Sequence, residues 1–365
     1  MMDCDRRRRP VERLPPGRAA SRTVIFACGA LSPETRRNRP MIKTRLTELL
    51  GIQHPILMGA MHRLTTAEMV AAVAEAGGLG FIPAASFASA EEVREEIRRA
   101  KVFTDKPIGL NISLVPAVHP GAEKIRAMVR VGIEERVAAF ETAGASPAGL
   151  IEQIKEARIP LLHKVTQVHY AKKAEALGAD AVIVVGFEGG GYIGPAEIAT
   201  MTLVNGAARA VSIPVVAAGG IVDGNGLIAA LALGAEGVLM GTRFIAATES
   251  RLPPNFLKWM LETGEGGTLV LLRSLNNPLR FIRNRFTETL ATLERGGHPM
   301  QDLVSVMKQA QETDIRLDND TENRLFPVGL GVSLIDGIKP TAEIIRDIVR
   351  DAEAAMKRLD RMRGL

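Results

Sequence analysis

The chain has 365 residues, of which 46% are hydrophobic and only 4% aromatic, which predicts one large α/β domain with an additional segment. Its formal charge of +5 comes from residues 1–40, where ten Arg and four acidic residues give +6 and leave −1 for the rest of the chain. This distribution excludes a basic surface of the kind that binds nucleic acid. No apolar run approaches the about 20 residues of a membrane span.

Residues 1–40 also contain both cysteines of the chain, Cys4 and Cys28. The remaining sequence therefore excludes disulfides, thiolate metal sites and a cysteine nucleophile outside this segment. We predict that residues 1–40 form a disordered extension, with Met41 as an alternative start, and that the protein is cytoplasmic.

From Leu46 to residue 247, short apolar runs alternate with amphipathic segments. The predicted strands are 54–59, 78–83, 107–112, 137–141, 159–164, 180–186, 214–219 and 237–241. The predicted helices between them include 66–76, 89–101, 147–157 and 170–177. Eight strands in alternation with helices predict a TIM (β/α)8 barrel over residues 41–247, with a doubly wound open sheet as the alternative.

Residues 248–330 interrupt this alternation and are rich in charge, which predicts a mostly helical insertion over one end of the barrel. Within it, Arg280, Arg283 and Arg285 are expected on a solvated helix face, with a cofactor phosphate as the alternative contact. The last segment, residues 331–365, is predicted to pack on the barrel through an amphipathic closing helix.

Glycines follow two successive predicted strands near the end of the barrel. The sequence PVVAAGGI ends in Gly219 and Gly220, and GVLMGTRF contains Gly241 and Thr242. In such barrels the loops after the seventh and eighth strands often bind phosphate through backbone amides. We therefore predict phosphate binding at these four residues, with ordinary tight turns as the alternative.

The loop GGGYIG at residues 189–194 formally matches a dinucleotide-binding fingerprint directly after a strand. That fingerprint needs an acidic residue about 20 positions later, and none occurs between Glu197 and Asp223. The match is therefore rejected. The loop also carries Tyr192, one of only two tyrosines in the chain.

Polar side chains are predicted at the ends of two other strands. Lys164 ends the fifth strand, where it can contact a phosphate or a planar ring, and the alternative is a solvent-exposed lysine. Asn111 and Ser113 end the third strand with hydrogen-bonding groups. His163 and His169 have no carboxylates at ligand spacing and are expected to be packing or surface residues rather than metal ligands.

Seven motifs, in chain order, resemble the FMN-dependent nitronate monooxygenase family, formerly called 2-nitropropane dioxygenase. They are MGAM, AEAGGLG, GLNIS, HKV, GFEGGGYIG, AAGGIVDG and LMGTRF, within residues 44–350. The family also includes NADH:quinone reductases and is close to flavin-dependent enoyl-ACP reductases. The resemblance implies a barrel that holds FMN non-covalently, with its phosphate at the two glycine-tipped loops. The flavin contacts that it implies are Gly59, Ala60, Met61, Asn111, Ser113, Lys164, Gly190 and Gly191.

One residue departs from the pattern of this family. The glycine loop usually carries a histidine beside the flavin, and Tyr192 stands there in this chain. An ordinary histidine has a pKa of about 6.5 and a tyrosine about 10, so Tyr192 is a poor base at neutral pH but an adequate hydrogen-bond donor. We expect a catalytic role for Tyr192 in orienting a nitronate or a carbonyl. The alternative is that it only lines the pocket.

The resemblance implies an enzyme that oxidises alkyl nitronates with O2 through FMN. One alternative is an FMN reductase that uses NADH or NADPH to reduce a quinone or an enoyl thioester. A second is a flavin-binding module without catalysis. An enzyme of the IMP dehydrogenase kind is excluded, because residues 41–365 contain no cysteine nucleophile. We expect a small-molecule substrate, no membrane or nucleic-acid partner, and a monomer or homodimer.

Overall fold

Eight parallel strands close into a barrel, which confirms the predicted TIM fold. The computed structural model describes residues 42–115, 121–298, 305 and 320–364, so the predicted extension at residues 1–40 lies outside the described residues. The barrel strands are β1 (Ile56–Met58), β2 (Leu79–Pro83), β3 (Gly109–Leu114), β4 (Ala139–Gly144), β5 (Leu161–Val165), β6 (Ala181–Val185), β8 (Val215–Ala218) and β9 (Gly237–Met240). Strand β9 pairs with β1, where Leu57 lies opposite Leu239, and this pairing closes the barrel.

The predicted helices follow their strands, and side-chain caps explain where two of them begin. Thr66 and Ser89 accept hydrogen bonds from backbone amides in the first turns of the helices Ala67–Glu75 and Ala90–Phe103. The barrel helices are α1 (Arg45–Leu50), α2 (Ala67–Glu75), α3 (Ala90–Phe103), α4 (Ala122–Glu134), α5 (Ala148–Glu156), α6 (Val168–Leu177), α7 (Thr200–Ala210), α8 (Gly224–Ala232) and the short α9 (Thr242–Ile245).

Side chains alternate between the inside of the barrel and the layer beneath the helices. Leu57, Phe81, Leu162 and Ile183 belong to the inner cluster, and their neighbours along each strand pack against the helices. Because both faces of a parallel barrel strand are buried, these strands appear in the sequence as continuous apolar runs. A Cβ on Gly109 would lie 2.3 Å from the Phe81 ring, so this part of the interior is tightly filled.

The insertion after the eighth barrel strand contains helices α10 (Pro254–Leu261) and α11 (Arg285–Arg295), as predicted. It also contains an antiparallel pair that the sequence did not predict, β10 (Thr268–Leu271) and β11 (Leu279–Ile282). Strand β11 pairs with β7 (Gly191–Tyr192), which lies in the glycine loop of the barrel. The insertion is therefore joined by backbone hydrogen bonds to the loop that carries Tyr192.

The C-terminal segment forms the predicted closing helix, α12 (Thr341–Met362), which packs against α8. The two helices approach so closely that a Cβ on Gly224 would lie 2.2 Å from the backbone nitrogen of Ala352. The domain boundaries at residues 247 and 330 stay predictions. Among the helices that the structure describes, none combines the length and the apolar character needed to cross a bilayer.

Candidate active site

A cavity of about 1320 Å³ opens at the carboxyl ends of the barrel strands. It brings together all the residues that the sequence predicts for the site. These are Gly59, Ala60, Met61, Asn111, Ser113, Lys164, Gly190, Gly191, Tyr192, Gly219, Gly220, Gly241 and Thr242. Functional groups of TIM barrels lie at this end, because the loops after the strands meet there. The position of the cavity therefore agrees with an active site.

The two glycine-tipped loops form adjacent parts of the cavity wall. Gly219 and Gly220 have φ angles of +101° and +74°, which a residue with a side chain adopts only with strain. A Cβ on Gly241 would meet nothing closer than the sulfur of Met61, at 3.8 Å, so this glycine leaves its side of the cavity open. The hydroxyl of Thr242 accepts a hydrogen bond from the amide of Gly329 at 2.9 Å. Both loops thus present backbone to the cavity.

Three neighbouring strands place polar side chains inside the barrel. Asn111 on β3 lies opposite Glu141 on β4, and both are buried. Lys164 on β5 is two residues after the inward-facing Leu162, so it faces the same side of the strand. Its ammonium group forms an ion pair with Glu141. Asn111, Glu141 and Lys164 therefore form a polar row where the apolar interior ends, and Asn111 and Lys164 of this row line the cavity.

Glu141 is the residue of this row that sequence reasoning missed as a functional candidate. Its side chain is 0% exposed, its Oε1 contacts the ammonium of Lys164, and among the described residues its Oε2 has no hydrogen-bond partner. Lys164 is therefore the neighbour that balances its charge. The signal that could have found this pair is an acid on the predicted fourth strand next to a lysine on the fifth, both at the ends that face the cavity.

His163 lies on the opposite face of β5 from Lys164, as strand alternation requires. It is buried, and its ring Nδ1 lies 2.8 Å from the hydroxyl oxygen of Thr142. Burial lowers the pKa of His163 from 6.5 to about 4, so the ring is neutral at physiological pH. The ring of His169 packs against Tyr170, with 3.9 Å between the ring centroids. His163 is thus a buried neutral residue that also borders the cavity, and His169 is an exposed surface residue.

Tyr192 lines the cavity with 40% of its surface exposed. Its backbone is fixed by pairing with Leu279 of the insertion. Burial of the ring is the main cause that raises the pKa of the phenol above 10, nearby Tyr170 adds to this, and a hydrogen bond with Thr166 opposes it. The phenol is therefore protonated at neutral pH and can donate a hydrogen bond, but it cannot act as an efficient base.

The expectation for Arg280 is wrong, because this residue lies neither on a solvated helix nor at the phosphate loops. It lies on β11, is 3% exposed, and donates hydrogen bonds to the carbonyl of Phe187 at 3.0 and 3.3 Å. Its guanidinium carbon also lies 4.5 Å from the centroid of the Phe187 ring. Arg280 thus attaches the insertion to the loop that leads to Tyr192. Arg283 and Arg285 are exposed, and Arg285 is the first residue of α11.

The glycine loop is held from the other side by the segment that follows the insertion. A Cβ on Gly190 would lie 2.6 Å from the carbonyl carbon of Val328 and 2.7 Å from the nitrogen of Gly329. The carbonyl of Glu188 accepts a hydrogen bond from the amide of Leu330 at 2.9 Å. Glycine at position 190 is therefore required for close contact between two backbone segments.

The cavity has the properties that a flavin mononucleotide requires. Its wall contains the glycine-rich loops after β8 and β9, the small residues Gly59 and Ala60 that follow the adjacent β1, and polar groups of β3 and β5. Its volume exceeds the roughly 300–1,000 Å³ of most ligand pockets, which leaves room for a second molecule beside a flavin. The residues present thus fit the cofactor.

Comparisons with known proteins place the chain among the oxidoreductases. The sequence matches the family model "Nitronate monooxygenase" over residues 43–351, and the chain belongs to this family of flavin-dependent oxidoreductases. It is 40% identical over 257 residues to the (3aS,4S,5R,7aS)-5-hydroxy-7a-methyl-1-oxo-octahydro-1H-indene-4-carboxyl-CoA dehydrogenase of Mycobacterium tuberculosis, with 70% of each chain covered. It is 34% identical over 285 residues to a probable nitronate monooxygenase of Staphylococcus saprophyticus, with 67% of this chain and 80% of the relative covered.

Two solved structures show the same similarity in three dimensions. FabK from Thermotoga maritima has a TM-score of 0.81 and 37% identity, with 88% of this chain and 99% of that chain covered. A nitroalkane oxidase from Streptomyces ansochromogenes has a TM-score of 0.71 and 26% identity, with 86% and 99% covered. The likeness therefore extends over the barrel and well beyond it.

Proposed function

We propose that the protein is an FMN-dependent oxidoreductase that reduces a carbonyl-activated double bond, with an enoyl thioester as the substrate class and NADH or NADPH as the reductant. The observation that carries this proposal is the protonated phenol of Tyr192 at the edge of a cavity larger than a flavin needs. Such a group stabilises negative charge on a carbonyl oxygen but does not abstract a proton from a neutral substrate.

The cofactor is proposed to be FMN, which supplies the transfer of hydride between the nicotinamide and the substrate. Gly219, Gly220, Gly241 and Thr242 would bind its phosphate through backbone amides and the threonine hydroxyl. The ring would contact Gly59, Ala60, Met61, Asn111, Ser113, Lys164, Gly190 and Gly191. In this arrangement the ammonium of Lys164 supplies positive charge, and Glu141 fixes its position.

Tyr192 is proposed to donate its hydroxyl proton in a hydrogen bond to the thioester carbonyl. As hydride adds to the β-carbon, negative charge develops on this oxygen, and the donor lowers the barrier most when the charge is largest. The α-carbon of the enolate then takes a proton from water, which completes the saturated thioester. The relative from M. tuberculosis is named for a carboxyl-CoA substrate, which supports thioester chemistry for this chain.

Oxidation of alkyl nitronates with O2 is a second candidate function. It is favoured by the family model and by the relative from S. saprophyticus, which is named as a probable nitronate monooxygenase. A nitronate is already an anion, so no base is needed, and Tyr192 would only orient it. For this activity we expect turnover of a preformed nitronate and far slower turnover of the neutral nitroalkane.

Anaerobic spectroscopy distinguishes these functions. The FMN-loaded protein is mixed with NADH or NADPH and the flavin absorbance is followed, and then crotonyl-CoA is added. Bleaching by the nicotinamide and recovery with the thioester would support the reductase. Bleaching by propyl-2-nitronate alone would instead support the second candidate. A yellow protein that no pair of reagents turns over would identify a non-catalytic flavin-binding module, and a colourless protein that takes up no FMN would refute both proposals.

Two substitutions at Tyr192 test its role. For Tyr192→Phe we expect kcat for the thioester to fall by about 10- to 100-fold. This is at or below the lower end of the roughly 100- to 1,000-fold effect of one oxyanion donor, because the site is partly open. For Tyr192→His we expect turnover of neutral nitroalkanes to rise, because histidine has a pKa near neutrality. An unchanged kcat in Tyr192→Phe would show that the hydroxyl has no catalytic role and that Tyr192 only lines the cavity.

A further inference from the structure

The cavity extends beyond the barrel to the surface of helix α6. Tyr170, Lys173 and Leu177 of this helix contribute to its lining, together with Ser146 and Pro147 from the loop before α5. None of these residues is at the strand ends that would hold a flavin. The outer part of the cavity is therefore available to a second ligand that reaches from the barrel mouth to the surface.

An aromatic side chain and a cation lie next to each other in this outer part. Tyr170 is 44% exposed, and Lys173 Nζ lies 5.7 Å from the centroid of its ring. Tyr170 and Tyr192 are the only tyrosines in the chain, and both line this cavity. Within the described part of the chain, no carboxylate forms an ion pair with Lys173, so its ammonium is available to an anionic ligand.

We propose that Tyr170 and Lys173 form an outer subsite for the adenosine diphosphate portion of the second ligand. His169 already packs against the Tyr170 ring, so the adenine ring would stack on the part of this ring that remains exposed. Every base offers a π-face for such a contact. The phosphate oxygens would pair with the ammonium of Lys173. This inference rests on the proposed function, because coenzyme A thioesters and nicotinamide dinucleotides both contain this group.

Lysine variants on α6 test the phosphate contact. Calorimetry measures the binding of CoA, of 3′,5′-ADP and of NADH to the FMN-loaded protein. Lys172 is the matched control, because it is exposed on the same helix, carries the same charge and does not line the cavity. For Lys173→Ala we expect affinity to fall by about fivefold, the size of one exposed charge contact, and for Lys172→Ala we expect no change. Equal losses in the two variants would overturn the proposal, because they would reflect only the general charge of the helix.

Tyrosine variants test the stacking contact separately. For Tyr170→Ala we expect affinity for the same ligands to fall about tenfold, the effect of one lost base–aromatic contact, and for Tyr170→Phe we expect little change. Unchanged affinity in Tyr170→Ala would overturn the proposal. A loss confined to CoA and 3′,5′-ADP assigns the subsite to the thioester, and a loss confined to NADH assigns it to the reductant.

A truncated substrate separates this proposal from the proposed function. A crotonyl thioester of N-acetylcysteamine contains no adenosine diphosphate. When the flavin is first reduced with dithionite, so that no nicotinamide is present, the rate at which this thioester reoxidises it is expected to be the same in the unmodified protein and in the variants of Tyr170 and Lys173. A reduced rate with this substrate would show that the variants disturb the reaction centre, and would overturn the assignment of an outer subsite. If no thioester is turned over, the proposed function fails, but the binding measurements still decide for or against the subsite.

Discussion

The ion pair between Lys164 and Glu141 leads to a quantitative prediction about stability. Lys164→Met removes the charge that balances a carboxylate with 0% exposure. Removal of one partner from a buried ion pair costs about 3–5 kcal/mol, because the remaining charge is left in a medium of low polarity. Since domains are stable by about 5–15 kcal/mol in total, this is a large part of the free energy of unfolding.

A double-mutant cycle isolates the interaction. Replacement of both charges, in Glu141→Leu with Lys164→Met, removes the unpaired carboxylate and is expected to recover most of the loss, since apolar replacements of buried pairs are often close to neutral. The control is Lys258→Met. Lys258 forms an exposed ion pair with Glu262, for which we expect a loss below about 1 kcal/mol.

The assay is urea unfolding followed by circular dichroism, carried out without FMN so that cofactor binding does not contribute to the measured stability. A loss of less than about 1 kcal/mol in Lys164→Met would refute the reasoning, since it would equal that of an exposed pair. Additive effects of the two single substitutions would refute it as well, because a coupled pair cannot be additive.

Three further predictions concern His163, Gly190 and Arg280. The folded state lowers the pKa of His163 from 6.5 to about 4, so the unfolded chain binds a proton first and stability falls as the pH drops through this window. We expect this histidine to lower the free energy of unfolding by about 2 kcal/mol between about pH 7 and pH 5. In His163→Gln, unfolding measurements at the two pH values should differ by about 2 kcal/mol less than in the unmodified protein. Gly190→Ala is expected to lower stability by about 1–3 kcal/mol and to weaken FMN binding in a fluorescence titration, whereas Gly266→Ala, with nothing within 4 Å of the added Cβ, should change neither. Arg280→Met is expected to speed amide hydrogen exchange in residues 187–192, and unchanged exchange would contradict its role in holding the loop.

The barrel could be predicted because its strands carry a strong local signal. The run AVIVV of β6 is buried along its whole length and is followed directly by glycine, as parallel strands between helices usually are. Asn111, Ser113, Lys164 and the glycines after β8 and β9 followed from the same reasoning, since the end of each strand fixes which residues meet at the barrel mouth. The flavin contacts at Gly59, Ala60, Met61, Gly190 and Gly191 came instead from the family resemblance. Their positions around one cavity agree with the sequence, whereas their roles toward FMN stay predictions.

Features that depend on distant parts of the chain could not be predicted in this way. Strand β4 has a weak apolar signal, because Glu141 occupies one of its inward positions and is balanced only by a lysine on the next strand. Strand β7 has two residues, Gly191 and Tyr192, and exists only because residues more than 80 positions later pair with it. Arg280 was misplaced for the same reason, since its partner Phe187 is distant in sequence.

Strands β7, β10 and β11 form one sheet, so residues from both the barrel and the insertion position the site. The barrel supplies the loops proposed for the cofactor phosphate, whereas the insertion sets the position of Tyr192 and of the neighbouring Gly191 through strand pairing. Changes in length or sequence around residues 268–282 can therefore move the phenol without altering the barrel. The glycines proposed for the phosphate, Gly219, Gly220 and Gly241, lie outside this shared sheet and would keep their places.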